Sequence, residues 1–233
     1  LKKALSNSEK DFTIKKGEEI SKGVMLLESL DHEYVRELSD YIKLMPAVHK
    51  FTSNPKLINI SNILMRKEKN NPIFTTNNGV LVVMPNDDEH SYSWHKEHFT
   101  TVPFSEYIQF WSPLIEDSTV ELGALKICEK SHKNGWKGQK YIPHKRMSKS
   151  FVIPQEELEK YSVRDVEMKL GDLLIMAPGL IHRSGDNTSN RFRFSYVSIY
   201  HNICNEKIRP PVLRYEWQGK TPIDYYNELY NKK

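Results

Sequence analysis

Two histidine-bearing segments and one arginine supply residue types suited to metal chemistry. Trp94-His95-Lys96-Glu97 places a histidine and a carboxylate two residues apart. Leu180-Ile181-His182-Arg183-Ser184-Gly185 supplies a second histidine, and Arg193 follows eleven residues later within Arg191-Phe192-Arg193-Phe194-Ser195. Two histidines and a carboxylate form the facial ligand set of a non-haem iron oxygenase, which leaves coordination positions open. An arginine beyond them can clamp the far carboxylate of a dicarboxylic co-substrate.

The spacing has alternatives at each point. Residues i and i+2 of a strand share a face, so His95 and Glu97 can reach one metal inside a barrel. Alone, His-x-Glu is weak: the chain has nine histidines, so chance matches are easy. A hydrogen-bonded structural His95 and a solvated Glu97 are the competing readings. His98 is a rival ligand, but it neighbours Glu97 and would point to the opposite face. The alternation around Arg193 buries either the arginine or Phe192 and Phe194. An arginine turned inward needs a partner. Ser195 lies on the same face as Arg193, and Arg191 is a decoy there, one step nearer the turn.

Positioning such residues requires elements, and the hydrophobic pattern supplies them. Residues 1–16 are polar and expected to be frayed. Ile20, Val24 and Leu27 fall on one helical face. Asp31 is a plausible N-cap for a second helix with the face Val35, Leu38, Ile42 and Met45, which Pro46 ends or kinks. Pro55 to Met65 holds a third, short helix, and Lys67 to Pro72 reads as a loop. After Gly79 the period changes to that of strands: 80–84, 107–111, 124–128, 150–153, 166–169, 173–176 and 192–200, with His182 near the start of another. Pro85 to Asp88 closes the first of these as a turn, and Glu156 to Tyr161 reads as one helical turn. Roughly eight short strands imply a double-sheet jelly roll rather than a parallel α/β sheet. The expected organisation is a single domain: a mainly helical layer over 1–78, a jelly-roll core over 79–204 and an extension over 205–233.

Composition narrows the class. The chain has 233 residues, 38% hydrophobic and 27% charged, as an ordinary globular domain does. There is no long apolar run, so no transmembrane helix and no membrane role is expected. The start, Leu1-Lys2-Lys3-Ala4-Leu5, has no signal-peptide stretch and no initiator Met, consistent with a trimmed or processed chain. Net charge is +4, with lysines and acids mixed, which argues for a solvated surface and against nucleic acid as partner. Cys128 and Cys204 belong to no Cys-x-x-Cys pair, so two free thiols in a reducing cytoplasm are expected.

From Val80 to Tyr200 the chain resembles the phytanoyl-CoA dioxygenase (PhyH-like) family of Fe(II)/2-oxoglutarate oxygenases. Four blocks carry the resemblance. Trp94-His95-Lys96-Glu97-His98 is similar to the family's Trp-His-Gln-Asp/Glu segment. Phe110-Trp111-Ser112-Pro113-Leu114 is followed by Glu121-Leu122-Gly123-Ala124-Leu125. Glu129-Lys130-Ser131-His132-Lys133 is similar to Gly-Ser-His-Lys. Gly171-Asp172-Leu173-Leu174 leads to His182-Arg183-Ser184-Gly185, Asn187 and Arg193. The resemblance implies a double-stranded β-helix of cupin type with Fe(II) on His95, Glu97 and His182. It implies 2-oxoglutarate held by Arg193, with Ser184 and Ser195 beside it and Gln109 and Trp111 lining the pocket. Ser184 as a turn residue and Trp111 as plain core remain the alternatives, and His132 is read as structural. O2 is the further co-substrate, and the implied reaction hydroxylates a small molecule while 2-oxoglutarate becomes succinate and CO2. The family more often has Asp at position 97, so Glu97 must reach the metal from a shifted backbone or rotamer. A carboxylate there argues against halogenation, for which related enzymes carry a small residue.

The main rival is a cupin-like, non-oxidative barrel that binds a metal or sugar, as an isomerase or binding protein. It would need neither O2 nor Arg193. A degenerate oxygenase fold serving as a partner-binding module is a third reading, but a degenerate copy should have lost a ligand. Substrate choice is expected in loops 98–106, 135–150 and 210–233. The basic, aromatic stretch 133–140 is read either as an ordinary solvated loop or as a surface for an anionic or sugar-bearing substrate.

Overall fold

The computed structural model describes residues 17–65, 72–86, 93–97, 106–135, 140–142 and 150–204, and among these four helices precede the first strand. They are α1 (Gly17–Leu30), α2 (His32–Lys43), α3 (Pro46–Thr52) and α4 (Pro55–Leu64). Asp31 does cap α2: its carboxylate accepts the Tyr34 N–H at 3.0 Å, a contact that stabilises a helix by about 1 kcal/mol. Pro46 does more than end α2. It occupies the first turn of α3, where its missing N–H costs nothing.

Among the described residues nine strands follow: β1 (Ile73–Val83), β2 (Tyr107–Leu114), β3 (Leu125–Cys128), β4 (Lys140–Ile142), β5 (Ser150–Val152), β6 (Val163–Val166), β7 (Leu174–Met176), β8 (His182–Ser184) and β9 (Arg193–Asn202). A major sheet has the order β1-β9-β2-β7, a minor sheet β6-β3-β8, and β4-β5 form a separate pair. Every pairing is antiparallel. One turn of helix, α5 (Gln155–Leu158), lies between β5 and β6. The strand expected at 166–169 lies three residues earlier, and β1 begins seven residues before the expected 80. A register shift between Thr76 and Gly79 interrupts β1 and breaks its alternation, which hid its first half.

Both faces of the major sheet are covered. On the outer face, Ile108, Phe110 and Tyr200 pack against Leu57 and Met65 of the helical layer. Phe192 and Phe194 pack against Val24 of α1. On the inner face, Trp111, Val197 and Met176 meet Leu125 of the minor sheet. Each such side chain contributes about 1.5–3 kcal/mol when fully buried. Two-sided cover explains why all ten positions of β9 are buried. It also answers the question posed by Arg193: both aromatics go under the helices, and the arginine goes inside the sandwich.

Among the described residues no helix is long and apolar enough to cross a membrane. Residues 1–16, 66–71, 87–92, 98–105, 136–139, 143–149 and 205–233 lie outside the described residues. With them lie the expected N-terminal fraying, the loop after Lys67, the end of the first turn, His98 and most of the expected specificity loops.

Candidate metal centre

His95 and His182 meet as an isolated antiparallel pair. Each backbone N–H donates to the other's carbonyl at 3.1 Å. Opposed residues of such a pair project to one face, and the two imidazole centroids are 4.5 Å apart. Glu97 completes the group: its Oε1 lies 3.2 Å from His95 Nε2 and 3.8 Å from His182 Nε2. The three ligand atoms lie within 4.8 Å of one another. Neighbouring ligands about 2.1 Å from an octahedral ion sit about 3 Å apart, so small movements close this group around a cation. The longer glutamate reaches its place with a single oxygen between both rings.

The histidine tautomers follow from their partners. His95 Nδ1 lies 2.7 Å from the Ser93 carbonyl and His182 Nδ1 lies 2.9 Å from the Leu180 carbonyl. A carbonyl only accepts, so each Nδ1 donates and each Nε2 faces Glu97; in the metal-free protein a protonated Nε2 donates to the carboxylate, and a cation would replace that proton on the lone pair. Burial pulls the Glu97 carboxyl upward, but hydrogen bonds from His182 and His95 overcome it and hold the group far below the usual carboxylate range. Burial pulls His95 downward, and the bond and charge of Glu97 raise it on balance. An anionic carboxylate between two imidazoles is a hard, negatively charged cation site.

Arg193 lies on the inner face of β9, beside Ser184 of β8, the strand that carries His182. It is 1% exposed. Its guanidinium donates to Ser184 Oγ at 2.9 Å and to the Gly123 carbonyl, and lies 5.5 Å from the Trp111 ring centroid. No carboxylate pairs with it among the described residues. Burial pushes it down to about 10, which leaves it charged at neutral pH. A cation–π contact contributes about 0.5–2 kcal/mol, while desolvating an unpaired charge costs several. An anion would close that gap. Arg193 Nε, Trp111 Nε1 and Ser195 Oγ are all buried without a hydrogen-bond partner among the described residues. These three donors are what a carboxylate-bearing molecule needs.

Ser184 sits two residues after His182 on β8, on the same face. Gln109 and Trp111 share the inner face of β2, opposite Ile199 and Val197 of β9. The decoy Arg191 is elsewhere, paired with Glu116. His132 lies in the 3-10 turn Ser131–Asn134. Two groups escaped the sequence reading. Tyr107 continues the inner-face alternation of Trp111 and Gln109. Burial, reinforced by the Glu97 charge, raises its phenol well above the usual range, and the Gly179 N–H donates to it. Lys96, between the two ligands of its segment, is 1% exposed. Counting back by two from Gln109 finds the first; its place between His95 and Glu97 was the only signal for the second.

A jelly roll with a half-buried His-Glu-His group, and an inward arginine that meets no carboxylate among the described residues, defines the class. The sequence profile of the phytanoyl-CoA dioxygenase (PhyH) family matches residues 1–195, and the chain belongs to that family. No curated protein sequence matches it. Among solved structures, EvdO2 from Micromonospora carbonacea var. aurantiaca complexed with 2-oxoglutarate is similar at a TM-score of 0.56 and 15% identity, over 69% of this chain and 65% of that one. EctD from S. alaskensis with bound Fe gives 0.53 and 14%, over 72% and 57%. The epimerase SnoN in complex with Fe3+, alpha ketoglutarate and nogalamycin RO gives 0.52 and 14%, over 68% and 59%. The likeness is one of fold, and the chain spans less than two thirds of the length of these structures.

Proposed function

We propose that this chain is an Fe(II)/2-oxoglutarate-dependent dioxygenase that hydroxylates a small molecule. The observation that carries the reading is on β8. One face of this strand presents His182 to the metal group and Ser184 to the buried, acid-free Arg193. Two residues along a strand span about 6–7 Å, the scale of a five-carbon dicarboxylate. His95, Glu97 and His182 hold the metal through Nε2, Oε1 and Nε2. Arg193 and Ser184 bind the distal carboxylate, with Ser195 and the Trp111 indole N–H beside it and Gln109 nearer the metal. Membership of the family and the ligands bound by EvdO2, EctD and SnoN support the same pairing of iron and co-substrate.

Bound Fe(II) with 2-oxoglutarate and O2 supplies the oxidising power to hydroxylate a C–H bond, and 2-oxoglutarate leaves as succinate and CO2. The protein's residues orient and exclude water. The Nδ1–carbonyl bonds of both histidines fix their rings, and the inner-face apolar cluster around Trp111 and Val197 would exclude water beside the co-substrate. The non-oxidative cupin-like reading has no use for a buried guanidinium aimed at an absent acid. In this proposal the whole chain is one domain, cytoplasmic, with a substrate that is anionic or sugar-bearing.

The test is anaerobic titration of the protein with Fe(II) and 2-oxoglutarate, followed optically. A weak visible charge-transfer band that is lost in Arg193→Ala and His182→Ala supports the reading. Stoichiometric metal without a band in folded wild-type protein moves it to the non-oxidative barrel. Incorporation of one atom from 18O2 into product then separates hydroxylation from epimerisation or desaturation.

A further inference from the structure

Lys96 lies between His95 and Glu97 in sequence, and its ammonium reaches the backbone of Gly135. It is 1% exposed and donates from Nζ to the Gly135 carbonyl at 2.7 Å. Gly135 closes the 3-10 turn Ser131–Asn134. That turn grips the segment leading to His182 at two points. Ser131 Oγ accepts the Ile181 N–H at 2.9 Å. The Gly135 carbonyl lies against Gly179 so closely that a Cβ added there would stand 3.1 Å from it. Gly179 in turn donates to Tyr107, whose phenol feels the Glu97 charge. Lys96 therefore ties the segment bearing His95 and Glu97 to the turn that steadies the approach to His182.

We propose that Lys96 is a positioning residue of the metal centre: by holding the Gly135 carbonyl it sets the separation of the His95–Glu97 pair from His182. This rests on the reading of those three residues as metal ligands. The backbone pair between His95 and His182 joins the two segments directly, and Trp94 packs beside Arg183 and Ile181. Lys96 adds a hydrogen-bonded tie on the other side of His95 in sequence, to the turn that holds Ile181 and Gly179. Groups that orient ligands in this way alter metal affinity roughly 10–100-fold when removed.

The test compares wild type with Lys96→Met, which keeps an unbranched stem and loses the donor. Anaerobic Co(II) titration is followed by visible absorption, and the metal-free melting midpoint is recorded in parallel. The expected result is a folded Lys96→Met protein with Co(II) affinity reduced at least about tenfold and a shifted band, while Lys96→Arg retains the wild-type band. Wild-type affinity and spectrum in Lys96→Met overturn the inference and leave the proposed function standing. Wild-type protein that takes up no Co(II) overturns both. Should Lys96→Met not fold, Lys96→Gln replaces it under the same two outcomes. If neither folds, Lys96 supports the whole fold rather than the centre, and the inference fails.

Discussion

Arg193 of the major sheet donates to Ser184 of the minor sheet at 2.9 Å, so one buried cation spans the sandwich. Its place inside is costly without an anion. Replacing an unpaired buried charge by an apolar side chain of similar volume is neutral or stabilising, by up to about 4 kcal/mol. Arg193→Met should therefore leave the metal-free protein as stable as wild type or more so. It should also raise the 2-oxoglutarate requirement at least about 100-fold, the loss of a charged bidentate contact. Urea unfolding and co-substrate titration check the two halves. A large loss of stability with unchanged co-substrate dependence would return Arg193 to a structural role.

The metal group has a pH signature of definite sign. His95 is raised in the folded metal-free protein, so its stabilising pairing with Glu97 is fully present below the unfolded value near 6.5. That contribution is lost as pH rises through the folded value. A cation needs the neutral imidazole and competes with the proton. The increase in melting temperature on adding Co(II) should thus grow between about pH 6 and pH 8. Thermal melts with and without metal measure it, and Glu97→Ala should abolish the increase at every pH.

His201 behaves in the opposite sense. It is 1% exposed, stacked on Phe74 at 4.7 Å, and in contact with Thr76 Oγ1 at 2.6 Å. Burial pushes it down to about 4. The unfolded chain then binds the extra proton first as pH falls. Stability from a neutral His201 is present above about 6.5 and drains away toward about 4, by an order of 3 kcal/mol. His201→Phe should flatten that part of the stability–pH curve. A curve as steep as wild type's would assign the acid sensitivity to other groups.

Gly185 lies so close to Ala124 that a Cβ would run into the Ala124 carbonyl and crowd Gly123. Both neighbours are backbone and cannot swing aside. Gly185→Ala should cost roughly 1–3 kcal/mol of stability. It should also weaken 2-oxoglutarate binding, because the Gly123 carbonyl and Ser184 are the two groups that hold Arg193. Denaturant midpoints and co-substrate titration test this. Unchanged values for both would mean that β3 and β8 separate freely.

The sequence disclosed local matters well. The Asp31 cap, the Val24 and Leu27 face and the strand at Tyr107 depend on neighbours in the chain, and periodicity reports these. It could not show Arg193 turned inward, because the aromatic residues beside it are buried too and alternation separates faces only when one of them is wet. The joining of His95 to His182, 87 positions apart, was equally unreadable from spacing; only the resemblance of motif order suggested it. Lys96 went unassigned for a related reason: a lysine in a polar segment reads as surface until its carbonyl acceptor, 39 residues away, is known.

Strand β9 has a temporal consequence. It hydrogen-bonds to β1 and β2 on its two sides, from Ile73↔Asn202 to Leu114↔Phe194. On a ribosome, both partners emerge long before the strand that joins them. The helical layer can fold early, but the central sheet must wait until residue 202 has cleared the exit tunnel. Pairings of such long sequence separation are slow and leave apolar edges open in the interim. Nascent chains cut before β9 should be bound by chaperones and protease-sensitive.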